Sequence, residues 1–248
     1  MSDILYEHPL NERIRNYLKL EQLFVQARSS LDQDISSGFA LFFNSIFAIL
    51  DTLDRTDTRG DVIKDLERLE QNLLLWSKSP NIDNRALTRN LEQAKLFATR
   101  LRSKQTVLAD IKNDKFLYSM RKRFAMQNAY CFFDLPALAF WLKQPPILLQ
   151  QDIEKWLAAL SLFEKSISLI LKFIRQKADF VDITCPTSFY QDNGEGLLLL
   201  RIKLAEGEDI FPSISGNKYR YSIRFMQLCP EKGQQYVSKD INFKLAKC

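Results

Sequence analysis

Three groups of basic side chains have the type and spacing to bind anions. The first lies in Lys218-Tyr-Arg-Tyr-Ser-Ile-Arg-Phe225. Strand side chains alternate between faces, so Lys218, Arg220, Ser222 and Arg224 share one face and Tyr219, Tyr221, Ile223 and Phe225 the other. At a rise of ~3.4 Å per residue, Arg220 and Arg224 stand ~14 Å apart, a spacing suited to two carboxylates on a partner peptide. Guanidinium groups grip carboxylates through two parallel hydrogen bonds, which an ammonium cannot do. The charge pattern taken alone favours a plain solvated sheet face. The second group is Arg100–Arg123, with Arg100, Arg102, Lys104, Lys112, Lys115, Arg121, Lys122 and Arg123 against Asp110 and Asp114. Eight basic and two acidic residues give it a net charge of +6, more than the +5 of the whole chain. Such a patch could meet phosphates or an acidic protein, although an exposed helix face or a connector explains it as simply. The third is Arg55, at the end of an apolar helix, where its charge complements the helix dipole and capping alone accounts for it.

Catalytic and metal chemistry find no comparable support. Asp51 and Asp54 flank the end of the same helix, an unfavourable place for negative charge, and Asp51 is spaced to pair with Arg55 at i,i+4. Neither GxxxxGKS nor GxGxxG occurs, and nucleophile-elbow and kinase signatures are absent. The four cysteines, Cys131, Cys185, Cys229 and Cys248, form no CxxC motif, and His8 is the one histidine. Multi-histidine zinc sites, HExxH enzymes and haem c attachment are thereby excluded. We expect no enzyme, metal site or cofactor.

The elements that must position the basic groups follow from periodicity. The 248 residues are 46% apolar and 26% charged, an ordinary globular composition. The stretch Phe39–Leu50 is shorter than the ~20 residues that span a bilayer, and the N-terminus lacks the pattern of a secretory signal. A soluble, cytoplasmic protein is expected. Only Gly38 and Gly60 precede residue 190, whereas five glycines follow it. Residues 1–180 therefore read as a helical domain and 181–248 as a strand domain. Pro9 fits the first turn of a helix carrying Leu10, Ile14, Tyr17, Phe24 and Leu31. A second helix starts near Ser36 or Ser37, apolar nearly all round and so central to a bundle. Further helices begin near Thr58, near Asp83 and at Asp134-Leu-Pro136, with Asp134 as the cap and Pro136 in the first turn. Pro145-Pro146 ends that helix, and a last one carries Ile153, Leu157, Leu160, Phe163, Ile167, Ile170, Leu171 and Ile174. Beyond it, Leu198–Leu204 and Ile241–Ala246 alternate as strands, with Asn193-Gly194 as a turn. The fold class is α+β: a helical bundle followed by a smaller, mostly antiparallel sheet packed on it.

Several blocks carry a family resemblance. Tyr6-Glu-His-Pro-Leu-Asn-Glu12, Leu50-Asp-Thr-Leu-Asp-Arg55, Phe133-Asp-Leu-Pro-Ala-Leu138, Phe189-Tyr-Gln-Asp-Asn-Gly194 and Ile214–Met226 resemble, in order, the blocks of the ZapD family of Z-ring-associated cell-division proteins. The resemblance implies a homodimer that binds the C-terminal tail of the tubulin-like GTPase FtsZ and bundles its protofilaments at the midcell division site. It implies a basic pocket between the domains at Arg55, Arg220 and Arg224, with Lys218 beside them. A tail would set carboxylates on the arginines and an apolar residue against nearby aromatics. Secondary basic contacts would be Arg15, Lys19, Lys115, Arg121 and Arg123. Lys19 and Lys115 stand where the family carries Arg, which removes the guanidinium fork at both. Ala139 stands where the family has a histidine, so that residue's role is lost. The alternative is a nucleic-acid-binding module using residues 100–123.

Overall fold

A computed structural model describes residues 3–32, 35–55, 57–77, 84–103, 108–125 and 132–248. Lys104, Asp83 and Cys131 lie outside the described residues. The chain divides into two units: Met1–Leu18 with Leu171–Cys248, and Lys19–Ile170.

The unit Lys19–Ile170 is helical. Its helices are α1 (Glu12–Ser29, from Lys19 onward), α2 (Ile35–Arg55), α3 (Thr58–Trp76), α4 (Asn84–Arg102), the single turn α5 (Ala109–Lys112), α6 (Lys115–Phe124), α7 (Pro136–Leu142) and most of α8 (Pro146–Arg175). As its composition predicts, α2 is central: Phe42, Phe43, Ile46, Ile49 and Leu50 are buried. The Phe43 ring has the rings of Phe42, Phe47, Phe116, Phe124, Trp141 and Trp156 at centroid distances of 5.3–6.1 Å. Such tilted and edge-on contacts add to the stabilisation from burial. The polar handles of this cluster are satisfied. Trp141 Nε1 donates to Asp152 Oδ2 at 2.9 Å and Trp156 Nε1 to Asp114 Oδ2 at 3.1 Å. Asp114 also caps α6, its Oδ1 accepting from the backbone N–H of Phe116 and Leu117. Helix α2 spans 21 residues and is long and apolar enough to cross a bilayer, which Phe39–Leu50 alone is not. Half of its apolar window is buried inside the protein, as in a core helix.

Two expectations change here. The residue ahead of α7 is Leu135 and no side chain caps that helix, so Asp134 is not the cap; Pro136 alone defines the start by presetting φ and needing no N–H partner. Asp51 does not pair with Arg55; its carboxylate accepts instead from Arg121 Nε, at 3.1 Å.

The other unit is a β-sandwich. One sheet has the order β1 (Asp3–Pro9), β4 (Leu199–Ala205), β8 (Ile241–Lys247), β2 (Val181–Cys185). The other runs β3 (Phe189–Asn193), β6 (Arg220–Cys229), β5 (Phe211–Gly216), with β7 (Gly233–Tyr236) also on β6. Every pairing is antiparallel. Residues 3–9 are thus a strand, contrary to the helical reading, and Pro9 is its last residue, opposite Leu199. Proline is tolerated there because β1 is an edge strand that needs no further donor. The inward faces meet through Leu200, Ile202, Leu204, Tyr221, Ile223, Phe225, Phe243 and Leu245. Across the outer side of β1 and β4, Glu7 accepts from Arg175 Nη2 at 2.7 Å and Arg201 Nε at 3.0 Å. Cys248 is buried, and its backbone N–H donates to the Leu199 carbonyl at 2.9 Å.

Truncating Phe43 to Ala leaves a cavity at the centre of the ring cluster. We expect Phe43→Ala to cost about 3–5 kcal/mol in urea unfolding; a loss below 1 kcal/mol would show that the cluster relaxes around the gap.

Candidate functional site

The outer face of β6 carries two exposed cations, Arg220 and Arg224, fixed on one side of the strand by its alternation. Tyr221, Ile223 and Phe225 are buried, while Arg220 and Arg224 are exposed. Residues directly opposite in an antiparallel pair share a face, so the register lays out that surface row by row. Asn193 lies opposite Arg220. Gln191, Ser222 and Ser215 form the next row. Phe189, Arg224 and Ser213 follow, then Tyr236, Met226 and Phe211, then Gln234 and Leu228. The face therefore grades from neutral polar groups around Arg220 to aromatic and apolar groups beyond Arg224.

Each arginine has its own surroundings. Arg220 borders a cavity of about 300 Å³ walled by Gln191, Ser215, Asn217 and Ser222. Asn217 shapes the adjoining turn, its Oδ1 accepting from Tyr219 N–H at 2.9 Å and Arg220 N–H at 3.2 Å. Lys218 and Tyr219 belong to this turn and not to the strand. Tyr219 is accordingly exposed rather than on the buried face, and the Lys218 ammonium lies 4.8 Å from its ring centroid. Gly194 makes the close approach of β3 to this turn feasible: a Cβ there would sit 2.8 Å from the Asn217 carbonyl oxygen. The Arg224 guanidinium lies 4.8 Å from the Phe189 ring centroid and 5.2 Å from that of Tyr236.

The chain leading into β3 is constrained. Thr187 and Ser188 adopt left-handed φ angles of 53° and 54°, uncommon for residues other than glycine. Thr187 N–H donates to Asp240 Oδ1 at 3.2 Å, and the Ser188 hydroxyl donates to the Val237 carbonyl. That turn carries the chain from one sheet to the other and begins β3 at Phe189. Beneath the face, Asp192 of β3 accepts from the Tyr190 hydroxyl at 2.9 Å and pairs with Lys247 of β8, tying the sheets together. The Lys247 hydrogen bond, with the Asn193 N–H, holds the Asp192 carboxyl below the usual range.

In the helical unit, Arg55 is exposed in the last turn of α2. The turn that carries it is anchored by Arg121 and Lys112, whose Nη2 and Nζ lie 3.0 and 2.6 Å from the Asp54 carboxylate. Burial pushes the Asp54 carboxyl up, but the hydrogen bonds and charges of Lys112 and Arg121 outweigh it and leave it below its ordinary value. Arg121 thus spends its charge on Asp51 and Asp54. Arg102 likewise pairs with Glu67. Three of the eight basic residues of the segment are thus paired with carboxylates of α2 and α3. Lys115 and Arg123 are exposed at opposite ends of α6, and Lys122 stands 4.5 Å over the Tyr118 ring. Lys19 and Arg15 are exposed on α1, with Arg15 Nε 3.4 Å from Glu12. Among the described residues no group of three His, Cys, Asp or Glu side chains could hold a metal ion.

The aromatic partners of Arg224 are absent from the sequence reading. Phe189 sat inside a recognised block, but only the strand register brings it and Tyr236 beside the arginine.

Residues 18–224 match the ZapD family, described as a cell division protein. The cell division protein ZapD of Yersinia enterocolitica is 37% identical over 247 residues, covering 100% of this chain and 98% of its own. ZapD of Idiomarina loihiensis is 37% identical over 250 residues, covering 99% and 96%. ZapD of Shigella boydii is 34% identical over 247 residues, covering 100% and 99%.

The ion pairs of Asp54 generate a pH test. A carboxyl whose folded value is depressed stabilises the fold above its unfolded value and loses that contribution as pH falls through the folded one. The stability advantage of the native chain over Asp54→Asn is therefore expected in full at pH 7 and shrinking below the ordinary carboxylate value of 3.8. Urea melts at pH 7 and pH 3 check this; a difference that does not change with pH would contradict it.

Proposed function

We propose, since this chain belongs to the ZapD family of cell division proteins, that it carries out its role in cell division by binding the C-terminal tail of FtsZ. The observation that carries this reading is the pair of exposed arginines, Arg220 and Arg224, held on one face by the buried side chains between them. Two arginines on strand positions ~14 Å apart suit an acidic segment with carboxylates at matching spacing. Lys218, in the adjoining turn, adds long-range attraction. Arg55 is the contact we assign to the helical unit, with Arg15, Lys19, Lys115 and Arg123 as secondary basic contacts. Arg121 we assign to holding the α2 terminus through Asp51 and Asp54.

One tail per protomer would only decorate a filament. A homodimer offers two tail sites and so crosslinks protofilaments, and the closely repeated tails of a polymer raise the effective concentration for the second contact. The protein would act without catalysis or cofactor, in the cytoplasm at the midcell division site. The pairing of Arg102, Lys112 and Arg121 with Glu67, Asp54 and Asp51 favours this reading over nucleic acid as the partner.

Charge reversal tests the assignment. Arg220→Glu and Arg224→Glu are each expected to weaken binding of a labelled FtsZ tail peptide at least tenfold, by placing a carboxylate where the ligand carries one. Both positions are exposed, so the thermal melts should stay near that of the native chain. Unchanged peptide affinity in either folded variant would overturn that arginine's role.

A further inference from the structure

Arg220 and Arg224 look equivalent in sequence but not in space. The Arg220 side chain opens onto the polar cavity of Gln191, Ser215 and Ser222. The Arg224 guanidinium has two rings within 5.2 Å, Phe189 from β3 and Tyr236 from β7. Both rings lie on the outer face: Phe189 is directly opposite Arg224, and Tyr236 is opposite Met226, two residues along. Rings at these distances hold the cation by cation–π attraction and exclude water from the sides they cover. Cation–π attraction does not consume the N–H donors, and these are the donors that meet a carboxylate side-on.

We propose that Phe189 and Tyr236 are positioning residues that clamp Arg224 as a preset fork for one carboxylate of the bound peptide, while Arg220 is an adaptable second contact. This rests on the tail-binding reading and deepens it by defining the ligand. The peptide recognised is an acidic segment whose Arg224-bound carboxylate is flanked by an apolar side chain. Beyond the clamp lie the half-buried Phe211 and the exposed Leu228, with Met226 buried between them, a surface for that apolar neighbour. Toward Arg220 the surface is polar and takes a further carboxylate about four residues away on an extended chain. The clamp also explains why Lys would not replace Arg at 224: an ammonium has no flat faces to sandwich and no fork to present.

The test combines a thermodynamic cycle with spectroscopy, using the full chain and a labelled FtsZ tail peptide. Phe189→Leu with Tyr236→Leu should weaken binding about tenfold, and Phe189→Tyr with Tyr236→Phe, which keeps both rings, should restore it. Arg224→Lys should cost about tenfold in the native background and little in the ring-less one, because the rings act through the guanidinium. A merely structural role for the rings would leave the cost of Arg224→Lys the same in both backgrounds, and that result would overturn the clamp. In the free protein, NMR of the arginine Nε–Hε groups should show Arg224 rigid and ring-current shifted and Arg220 mobile. Equal mobility of the two would overturn it as well. A native chain that does not bind the tail peptide would instead overturn the reading of the site, and the NMR comparison would still decide the clamp.

Discussion

One geometric constraint, the period of two along β6, sets the charged face of the protein. Tyr221, Ile223 and Phe225 are committed to the sandwich interior at 0–1% exposure. Their burial fixes the strand's rotation about its own axis, and Arg220, Ser222 and Arg224 then have one direction left. A slip of one residue would bury two arginines and expose three large apolar side chains, a cost no loop could offset. The charged face is thus as rigidly specified as the core beneath it. A ligand meeting it encounters cations already in place, and less ordering is required on binding.

The same economy governs the surroundings. The strained turn at Thr187 and Ser188 is tolerated because Asp240 and the Val237 carbonyl take up its polar groups, and it delivers Phe189 to the row of Arg224. Gly194 allows β3 to approach the Asn217 turn. In the helical unit, Asp114 serves two demands at once, capping α6 and accepting the Trp156 indole N–H. The pairs of Asp51 and Asp54 with Arg121 and Lys112 fasten α6 and α5 to the last turn of α2, which ends in Arg55. Negative charges that would destabilise a helix terminus become fasteners once opposite charges come from another element.

Much of this was legible in the sequence where the signal is local. The alternation of residues 220–225 identified β6 and its two faces. The apolar run of α2 identified the central helix, and the Pro145-Pro146 break separated α7 from α8. What escaped is set by distant partners. Strand β1 pairs with β4 across nearly two hundred residues, and its Pro9 fits a helix start as well as a strand end. Lys218 and Tyr219 continue the alternation of β6 on paper, but Asn217 turns the chain there through its side-chain hydrogen bonds. Asp51 had a plausible local partner in Arg55, and the tertiary fold supplied Arg121 instead. Phe189 and Tyr236 flank Arg224 only through strand register, which no spacing in the chain encodes. The arginines were readable; the rings that distinguish one from the other were not.

The central claim is that this face binds the FtsZ tail and that a dimer thereby joins protofilaments. Co-sedimentation with FtsZ assembled in GTP tests it most directly, comparing full-length FtsZ with FtsZ lacking its C-terminal tail. The account predicts that the native chain pellets with and bundles the full-length polymer and does neither with the tailless one. Equal bundling of both polymers, or none of either by a folded chain in low salt, would contradict it.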